Sequence, residues 1–298
     1  MRPVVFALLW LPLAAIAQTP PLADFSKARL AQKPLQMPAE ARESAPPDEP
    51  PLALYKPAGP GPFPAVVLDP TCAGVQDQIG DWARVLLKAG YAVFVLDRFT
   101  QRNVRFGENC KPPPPINTSE STLDAYLVLE HLAAQPFIDR ERVALVGFSW
   151  GAMVGLLAAR KDIAEILPRK HRELRYRAIA SLYPHCYLPS VRSAAGTVAV
   201  EWLGPETDRP LLVLMGEKDE ETPPRFCLPR LEALKAKGAP VDWEVYPDTT
   251  HGWDIRRANG YAAPTFFGTT HTYLYNESSK RAAQERVLRF LAKEMPPR

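Results

Sequence analysis

The sequence predicts an α/β fold in which helices cover both faces of a mostly parallel sheet. Two observations lead to this prediction. From Ala65 onward, short apolar runs alternate with longer stretches of helical period, the pattern of successive βαβ units. Most of these runs lack polar alternation, as is typical of strands buried on both faces. A chain of 298 residues with 46% hydrophobic residues can bury such a core.

The first residues of the chain, MRPVVFALLWLPLAAIAQ, have the pattern of an export signal. Arg2 precedes an apolar run from Val4 to Ala15, and Ala15-Ile16-Ala17 matches the small-x-small site of signal peptidase. About a dozen apolar residues are too few for a membrane anchor, which needs roughly 20. We therefore expect a signal peptide over residues 1–17, cleavage after Ala17, and a periplasmic or secreted mature protein with no membrane span.

A proline-rich segment follows the export signal. Residues 18–64 contain 12 prolines in 47 positions, which favours extended backbone with little regular structure. The stretch LALYK at 52–56 is a candidate edge strand. We expect residues 18–50 to form an N-terminal arm and residues 51–298 to form one folded domain.

The remaining elements follow in order along the chain. Apolar runs predict strands at 65–69, 91–97, 143–148, 178–183, 210–215 and 241–246. Helical periodicity predicts helices at 77–89, 120–134, 150–160, 228–237 and 278–294. In the first helix, apolar side chains three or four positions apart form one buried stripe that ends at Gly90.

Charge and cysteine spacing argue against two classes of function. The net charge of +3 is small and the Lys and Arg residues are scattered, so no nucleic-acid footprint is present. No Cys-x-x-Cys or paired histidine spacing indicates a metal site. In an exported protein an even number of cysteines favours disulfides, and three pairings are open to Cys72, Cys110, Cys186 and Cys227.

A candidate nucleophile lies where the strand at 143–148 meets the following helix. Gly147-Phe148-Ser149-Trp150-Gly151 matches the Gly-x-Ser-x-Gly elbow, which requires a strand before it and a helix after it. A tight turn there projects the serine oxygen above the sheet, and side chains two residues either side would collide. The helix N-terminus favours a developing oxyanion. Ser149 is therefore a candidate nucleophile.

A serine nucleophile needs a base and an acid that orients the base. His251 lies in a loop after the last predicted strand, and Asp219 follows the strand at 210–215, so the order Ser, Asp, His is that of the elbow-type fold. The carboxyl ends of these strands share the rim where α/β sheets bind ligands. Glu217, Glu220 and Glu221 are alternative acids.

These residues predict acyl transfer. His251 would take the Ser149 proton, and the backbone N–H of Trp150 would be one oxyanion donor. The second donor would come from the loop after the strand at 65–69, at Cys72.

At these residues the chain resembles the dienelactone hydrolase family of the α/β-hydrolase superfamily. The resemblance covers roughly residues 50–295 and is carried by PFPAVVL, AGYAVFVLDRF, RVALVGFSWGA, LVLMGEKDEETPP and VYPDTTHGWD. It implies an α/β-hydrolase fold with a mostly parallel eight-stranded sheet, and hydrolysis of carboxylic esters or lactones, as small-molecule substrates, without a cofactor. It also implies that 51–298 is the catalytic domain, with Ser149, Asp219 and His251 as nucleophile, acid and base.

The chain departs from the family pattern at two places. Dienelactone hydrolase proper uses a cysteine nucleophile, so Ser149 favours a more general ester as substrate. Pro70 and Thr71 stand where many relatives have His-Gly before the oxyanion loop. In the fold that the resemblance implies, Cys72 and Cys110 follow neighbouring strands, and Cys186 and Cys227 follow the next two strands beyond the elbow. This arrangement favours the pairings 72–110 and 186–227.

Two other functions remain open from the sequence. Prolyl-oligopeptidase-type peptidases share the fold and the order of the triad, although they usually carry an additional propeller domain. A non-catalytic binding protein on a hydrolase scaffold would also fit, because the oxyanion loop is altered. The aromatic stretch from Ile255 to Asn276 could cover a pocket.

Overall fold

The computed structural model of the protein describes residues 33–167, 173–193 and 196–297. The export signal expected at residues 1–17, its cleavage site after Ala17 and the first part of the expected arm lie outside the described residues.

Eight strands form one twisted central sheet. In chain order the described strands are β1 (Ala41–Arg42), β2 (Ala53–Tyr55), β3 (Phe63–Asp69), β4 (Ala92–Val95), β5 (Ile138–Phe148), β6 (Ala178–Leu182), β7 (Tyr187–Ser193), β8 (Gly196–Glu201), β9 (Leu211–Gly216), β10 (Val241–Tyr246), β11 (Ala262–Pro264) and β12 (Thr270–Thr272). The order across the sheet is β1-β2-β4-β3-β5-β6-β9-β10. All neighbours are parallel except β2 and β4. This confirms the predicted fold class.

The described helices are α1 (Asp77–Lys88), α2 (Arg98–Gln101), α3 (Thr118–Ala133), α4 (Trp150–Ala159), α5 (Lys161–Ile166), α6 (Leu228–Ala236) and α7 (Glu277–Glu294). The helix α3 begins at an Asn117 capping box, in which Asn117 and Glu120 satisfy each other's backbone N–H groups. No helix in the described part of the chain is long and apolar enough to span a bilayer.

The core consists of two layers because successive strand residues point to opposite faces of the sheet. Val67 and Leu145 belong to the layer that contains residues of α3 and α4. Val66 and Val146 belong to the layer that contains residues of α1 and α7. Both faces of the central strands are therefore covered, which explains why the strand sequences are continuously apolar.

The N-terminal segment crosses the outer side of α1. The N–H of Gly80 donates to the backbone oxygen of Asp48 at 3.1 Å, and Arg84 donates to that of Pro46 at 3.0 Å. A β-carbon at Gly80 would lie 2.2 Å from the oxygen of Pro47, so this helix position must be glycine. The stretch predicted as an edge strand forms β2, but β1 lies outside it and is the true edge.

Two hairpins lie outside the central sheet. Strands β7 and β8 pair antiparallel after β6, and β11 and β12 pair antiparallel between β10 and α7. Neither hairpin was predicted from the sequence. Both follow strands of the central sheet at the edge where the candidate residues lie.

Candidate active site

Ser149 lies in the sharp turn between β5 and α4. Its backbone has φ 50° and ψ −102°, a conformation that non-glycine residues rarely adopt. The turn is fixed because the N–H of Ser149 donates to Leu182 O at 3.0 Å and its carbonyl accepts the N–H of Met153 at 3.0 Å. Main chain therefore holds the serine in place on both sides.

The two glycines of the motif are required by close backbone contacts. A β-carbon at Gly147 would lie 2.1 Å from the oxygen of Gly151, and one at Gly151 would lie 2.1 Å from the oxygen of Asp69. Both distances are far shorter than a van der Waals contact. The collision expected from the motif is therefore present, and both positions must be glycine.

The structure brings the three predicted side chains together at the carboxyl ends of β5, β9 and β10. His251 Nε2 lies 3.0 Å from Ser149 Oγ, and His251 Nδ1 lies 2.8 Å from Asp219 Oδ2. Their exposed fractions are 7% for Ser149 and 3% for each of the other two. The chain of contacts therefore lies in a largely desolvated environment, where electrostatic interactions are strong.

Asp219 is held by groups that sequence reasoning did not identify. Its Oδ1 accepts the N–H groups of Glu221 at 2.9 Å and Thr222 at 2.7 Å, and Thr222 Oγ1 lies 2.8 Å from its Oδ2. Burial would raise the pKa of Asp219, but the charge of His251 and these hydrogen bonds outweigh it and lower the pKa. Asp219 is thus a fixed anion.

The alternative acids named from the sequence occupy other positions. Glu217 accepts the N–H of Asp248 at 3.1 Å, and Glu220 is exposed. Glu221 does approach His251, with its Oε1 3.9 Å from Nε2, but on the side of Ser149 rather than at Nδ1. Asp219 is the carboxylate at Nδ1.

The surroundings of His251 favour its protonated form. Burial alone would lower its pKa, but the carboxylates of Asp219 and Glu221 outweigh burial and raise the pKa to about 9. The Tyr183 ring meets the imidazole edge to face, with centroids 4.8 Å apart. The site therefore stabilises an imidazolium ion, the species that forms when His251 accepts a proton.

The hairpin of β11 and β12 supports His251 from outside. The backbone N–H of His251 donates to His271 Nε2 at 3.1 Å, and the Tyr273 ring lies 5.8 Å from the His251 ring. Burial and the nearby His251 lower the pKa of His271, which keeps this acceptor unprotonated. Neither His271 nor Tyr273 was predicted from the sequence, because they lie 20 or more positions beyond His251 and belong to no motif.

The loop after β3 passes over the N-terminus of α4. The oxygen of Pro70 accepts the N–H of Gly151 at 3.0 Å. Thr71 closes the next turn, because its carbonyl accepts the N–H of Gly74 at 3.0 Å and its Oγ1 accepts that of Ala73 at 3.3 Å. The left-handed residue of this turn is Gly74, with φ 97°. The residue of this loop that must be glycine is therefore Gly74, and neither Pro70 nor Thr71 has a positive φ. Pro70 and Thr71, which replace the His-Gly of many relatives, are thus compatible with a regular loop.

The N–H groups of Trp150 and Cys72 are the oxyanion donors expected from the sequence. Trp150 is the first residue of α4, and its N–H has no acceptor within the helix. Within the described ranges, the N–H of Cys72 also has no protein acceptor. Both N–H groups therefore remain candidate oxyanion donors.

A buried charge network lies beneath this loop. Arg98 donates to both oxygens of Asp69, at 2.6 and 2.7 Å, and its Nε lies 3.2 Å from Asp124. Arg102 donates to both oxygens of Asp124 at 2.7 Å. All four groups are paired, as buried charges must be. The network connects the end of β3 to α2 and α3.

Two disulfides close loops around the site. The structure pairs Cys72 with Cys110 and Cys186 with Cys227, the two pairings expected from the sequence. The first ties the loop after β3 to residues before α3, and the second ties the segment after β6 to the start of α6. The described residues contain no free cysteine and no group of His, Cys, Asp or Glu side chains arranged for a metal ion.

Aromatic side chains border one side of the site. His185 stacks on Trp202 with centroids 6.0 Å apart and meets Phe267 at 6.3 Å, and Phe267 stacks on Phe226 at 5.2 Å. Burial lowers the pKa of His185 to about 4, so it is neutral near pH 7. Residues of the 255–276 segment thus contact both these aromatic side chains and His251.

The sheet order and the serine on its elbow define an α/β hydrolase. The profile of the dienelactone hydrolase family matches residues 52–295. The chain belongs to this family and is accordingly a carboxylic ester hydrolase.

Individual relatives agree with this membership. A protein of Yersinia pestis whose assigned name is carboxymethylenebutenolidase is 24% identical over 227 residues, which are 72% of this chain and 78% of that protein. The esterase FrsA of Salmonella newport is 31% identical over 153 residues, 48% of this chain. That match spans only 34% of FrsA.

Solved structures show the same fold. A Klebsiella pneumoniae protein crystallised under the name dienelactone hydrolase has a TM-score of 0.57 at 21% identity, covering 80% of this chain and 91% of that chain. Esterase 2 of Thermogutta terrifontis, crystallised with butyrate, has a TM-score of 0.59 at 14% identity, covering 83% and 90%. At these identities the likeness concerns the fold.

Proposed function

We propose that the protein is a serine-dependent hydrolase of carboxylic esters or lactones that works through an acyl-enzyme on Ser149. The continuous set of contacts from Asp219 through His251 to Ser149 carries this proposal. The strained backbone of Ser149 supports it, since such strain clusters at functional sites. Residues 51–298 would be the catalytic domain.

The proposed reaction has two halves. His251 Nε2 takes the proton of Ser149, and Oγ attacks the acyl carbon to give a tetrahedral oxyanion. This intermediate collapses as the carbon–oxygen bond to the alcohol breaks and His251 protonates the leaving oxygen. Water, deprotonated by His251, then attacks the acyl carbon, and Ser149 leaves with the proton. Asp219 holds the imidazole tautomer and offsets its charge throughout.

The oxyanion would be stabilised by backbone groups. The N–H of Trp150 and that of Cys72 are the proposed donors, aided by the N-terminus of α4. The contact between Pro70 and Gly151 supports this assignment, because it fixes the first residue of the loop against the helix that carries Trp150.

The substrate class follows from the nucleophile and the family. A serine at the elbow and esterase relatives favour ordinary esters over the enol lactone suggested by the carboxymethylenebutenolidase name. We further propose that the enzyme acts after export, with cleavage following Ala17. Two disulfides support an oxidising compartment.

Labelling with a fluorophosphonate tests the proposal, because this probe forms a covalent adduct with activated serines. We expect the wild type to be labelled at Ser149, and the variants Ser149→Ala and His251→Ala to remain unlabelled. Ser44→Ala, which removes an exposed serine, is the matched control and should label like the wild type.

The same samples should hydrolyse a short-chain ester in parallel with labelling. A folded, oxidised wild type that neither labels nor hydrolyses any ester would overturn the proposed mechanism. Labelling at a serine other than Ser149 would overturn the assignment of the nucleophile.

A further inference from the structure

Glu221 lies beside the reacting atoms but has no part in the proposed triad. Its Oε1 is 3.9 Å from His251 Nε2, the nitrogen that also faces Ser149 Oγ at 3.0 Å. The Glu221 side chain is 27% exposed, whereas those of Asp219 and His251 are almost fully covered. Its carboxylate is therefore open on one side at the mouth of the site.

The position of this carboxylate is fixed. The hydroxyl of Tyr273 donates to its Oε2, and the backbone N–H of Glu221 donates to Asp219 Oδ1 at 2.9 Å. The oxygen that approaches His251 is the one not bound by Tyr273. A fixed carboxylate can discriminate between substrates because it does not swing away from an unfavourable group.

No permanent cation neutralises Glu221. In the portions of the chain that the structure describes, no Lys or Arg nitrogen lies within 4.0 Å of it. The histidines that interact with it electrostatically, apart from His251, are His185 and His271, and both have lowered pKa values that keep them neutral near pH 7. Asp219 adds a second negative charge on the far side of His251.

The reaction places one part of the substrate next to this charge. His251 Nε2 must come within hydrogen-bond distance of the leaving oxygen in order to protonate it. The atoms attached to that oxygen then lie in the region that Glu221 borders, whereas the acyl chain extends from the carbonyl carbon at Ser149. Glu221 thus acts on the alcohol half of the ester.

We propose that Glu221 determines specificity by favouring esters whose leaving alcohol carries a cationic group and disfavouring those whose alcohol carries a carboxylate. This inference rests on the proposed acyl-enzyme at Ser149. It sets the enzyme apart from any relative that acts on carboxylate-bearing lactones.

The test compares two isosteric esters, acetylcholine and 3,3-dimethylbutyl acetate, which differ in the positive charge of the alcohol. The quantity measured is the ratio of their kcat/KM values at one pH. A change in the basicity of His251 affects both esters alike and cancels in this ratio. We expect Glu221→Gln to lower the ratio about fivefold relative to the wild type, the size of a charge interaction in a partly solvated site.

Glu220→Gln is the matched control. Glu220 is the neighbouring residue and its side chain is exposed, so this variant removes the same charge from a place outside the site. The ratio of the two kcat/KM values should stay at the wild-type value.

The salt dependence of the same ratio is a second readout that needs no variant. If the net charge of the whole chain, +3, determined the ratio, it would disfavour the cationic ester, and salt would raise the ratio by screening that charge. A local carboxylate predicts instead that salt lowers the ratio in the wild type.

The outcomes separate this inference from the proposed function. A ratio that falls in Glu221→Gln but not in Glu220→Gln, and that falls with salt in the wild type, supports the inference. Equal ratios in wild type and Glu221→Gln, with both esters hydrolysed and Ser149 labelled, overturn it and leave the nucleophile intact. Absence of both labelling and turnover overturns the proposed function and the inference with it.

Discussion

Ser149 has a backbone conformation that an L-residue rarely adopts, and this strain has a measurable cost. A residue held in a sparsely populated region costs about 1–3 kcal/mol. A glycine at this position would avoid this cost. The greater conformational freedom of glycine in the unfolded chain would, however, lower the free energy of unfolding by about 0.5–1 kcal/mol. The strain is retained because only this turn directs Oγ toward His251.

Comparing Ser149→Gly with Ser149→Ala separates the backbone cost from the loss of the hydroxyl. Both variants should lose turnover. We expect the glycine variant to be more stable than the alanine variant by about 1 kcal/mol, because only glycine relieves the positive φ. Urea unfolding of both proteins measures the difference, and equal midpoints would show that the turn is not strained.

In the proposed mechanism, the carboxylates around His251 set the pH at which the enzyme works. His251 accepts a proton only when it is unprotonated, and its raised pKa of about 9 keeps it largely protonated at neutral pH. We therefore expect kcat/KM for a neutral ester to rise with pH, with a midpoint well above 6.5, the ordinary value for histidine.

Removal of one carboxylate should move this midpoint in a known direction. Glu221→Gln takes away a charge that raises the pKa of His251, so the midpoint should fall, whereas Glu220→Gln should leave it in place. A wild-type profile with its midpoint at or below 6.5 would contradict the electrostatic description of the site.

The hairpin of β11 and β12 contacts the loop of His251 through the side chain of His271. It accepts the backbone N–H of His251, so it acts as a positioning residue rather than a catalytic one. Its low pKa matters here, because a protonated ring nitrogen could not accept this bond.

The kinetics of His271→Ala should reveal this role. We expect kcat to fall about tenfold, equivalent to about 1.4 kcal/mol for a lost buried hydrogen bond, and KM to change less than about twofold. His271→Gln keeps an acceptor and should recover part of the rate. Thr272→Ala, an exposed neighbour on the same strand, is the control. A change in KM alone would indicate a role in substrate binding instead.

Most of the elements were predicted because their signals are local. The six strands predicted between residues 65 and 246 and the five predicted helices are each found within a few residues of their predicted bounds. The exception is β5, which begins five positions before its predicted start. The hairpin of β7 and β8 was missed because Pro189 interrupts its first strand and a register shift follows Leu188. Short strands of this kind are decided by packing rather than by pattern.

In the candidate site, too, residues with a local sequence signal were predicted and residues without one were not. Ser149, Asp219 and His251 were found from the ends of predicted strands and their order in the chain. Their supporting groups were not: Glu221 and Thr222 bind Asp219 locally without a recognisable motif, and the contacts around His251 and Glu221 join segments far apart. Thr222 lies 29 positions from His251, and Tyr273 lies 52 positions from Glu221.

At the scale of the whole molecule, the two disulfides connect stability to the site. The cysteines of each pair are separated by 38 and 41 positions, so each bridge is expected to stabilise the fold by roughly 4 kcal/mol in the chain-entropy view. Because Cys72 belongs to the proposed oxyanion loop, the two bridges should differ in their effect on catalysis.

We expect the double variants Cys72→Ala/Cys110→Ala and Cys186→Ala/Cys227→Ala each to lower the free energy of unfolding by about 2–4 kcal/mol. At a temperature where both remain folded, only the first should lower kcat strongly while labelling of Ser149 slows. Urea unfolding and ester kinetics measure the two effects. Equal kinetics in the two variants would argue against Cys72 as an oxyanion donor.

If Cys72 is an oxyanion donor, as proposed, we expect the bridge at Cys72 to leave the enzyme latent until that bridge forms. In a newly made chain whose thiols are still reduced, the loop that carries Cys72 is not yet tied to the residues before α3. Hydrolytic capacity should then develop only where thiols are oxidised. A cell that makes such an enzyme would thereby protect the esters of the compartment in which the chain is synthesised.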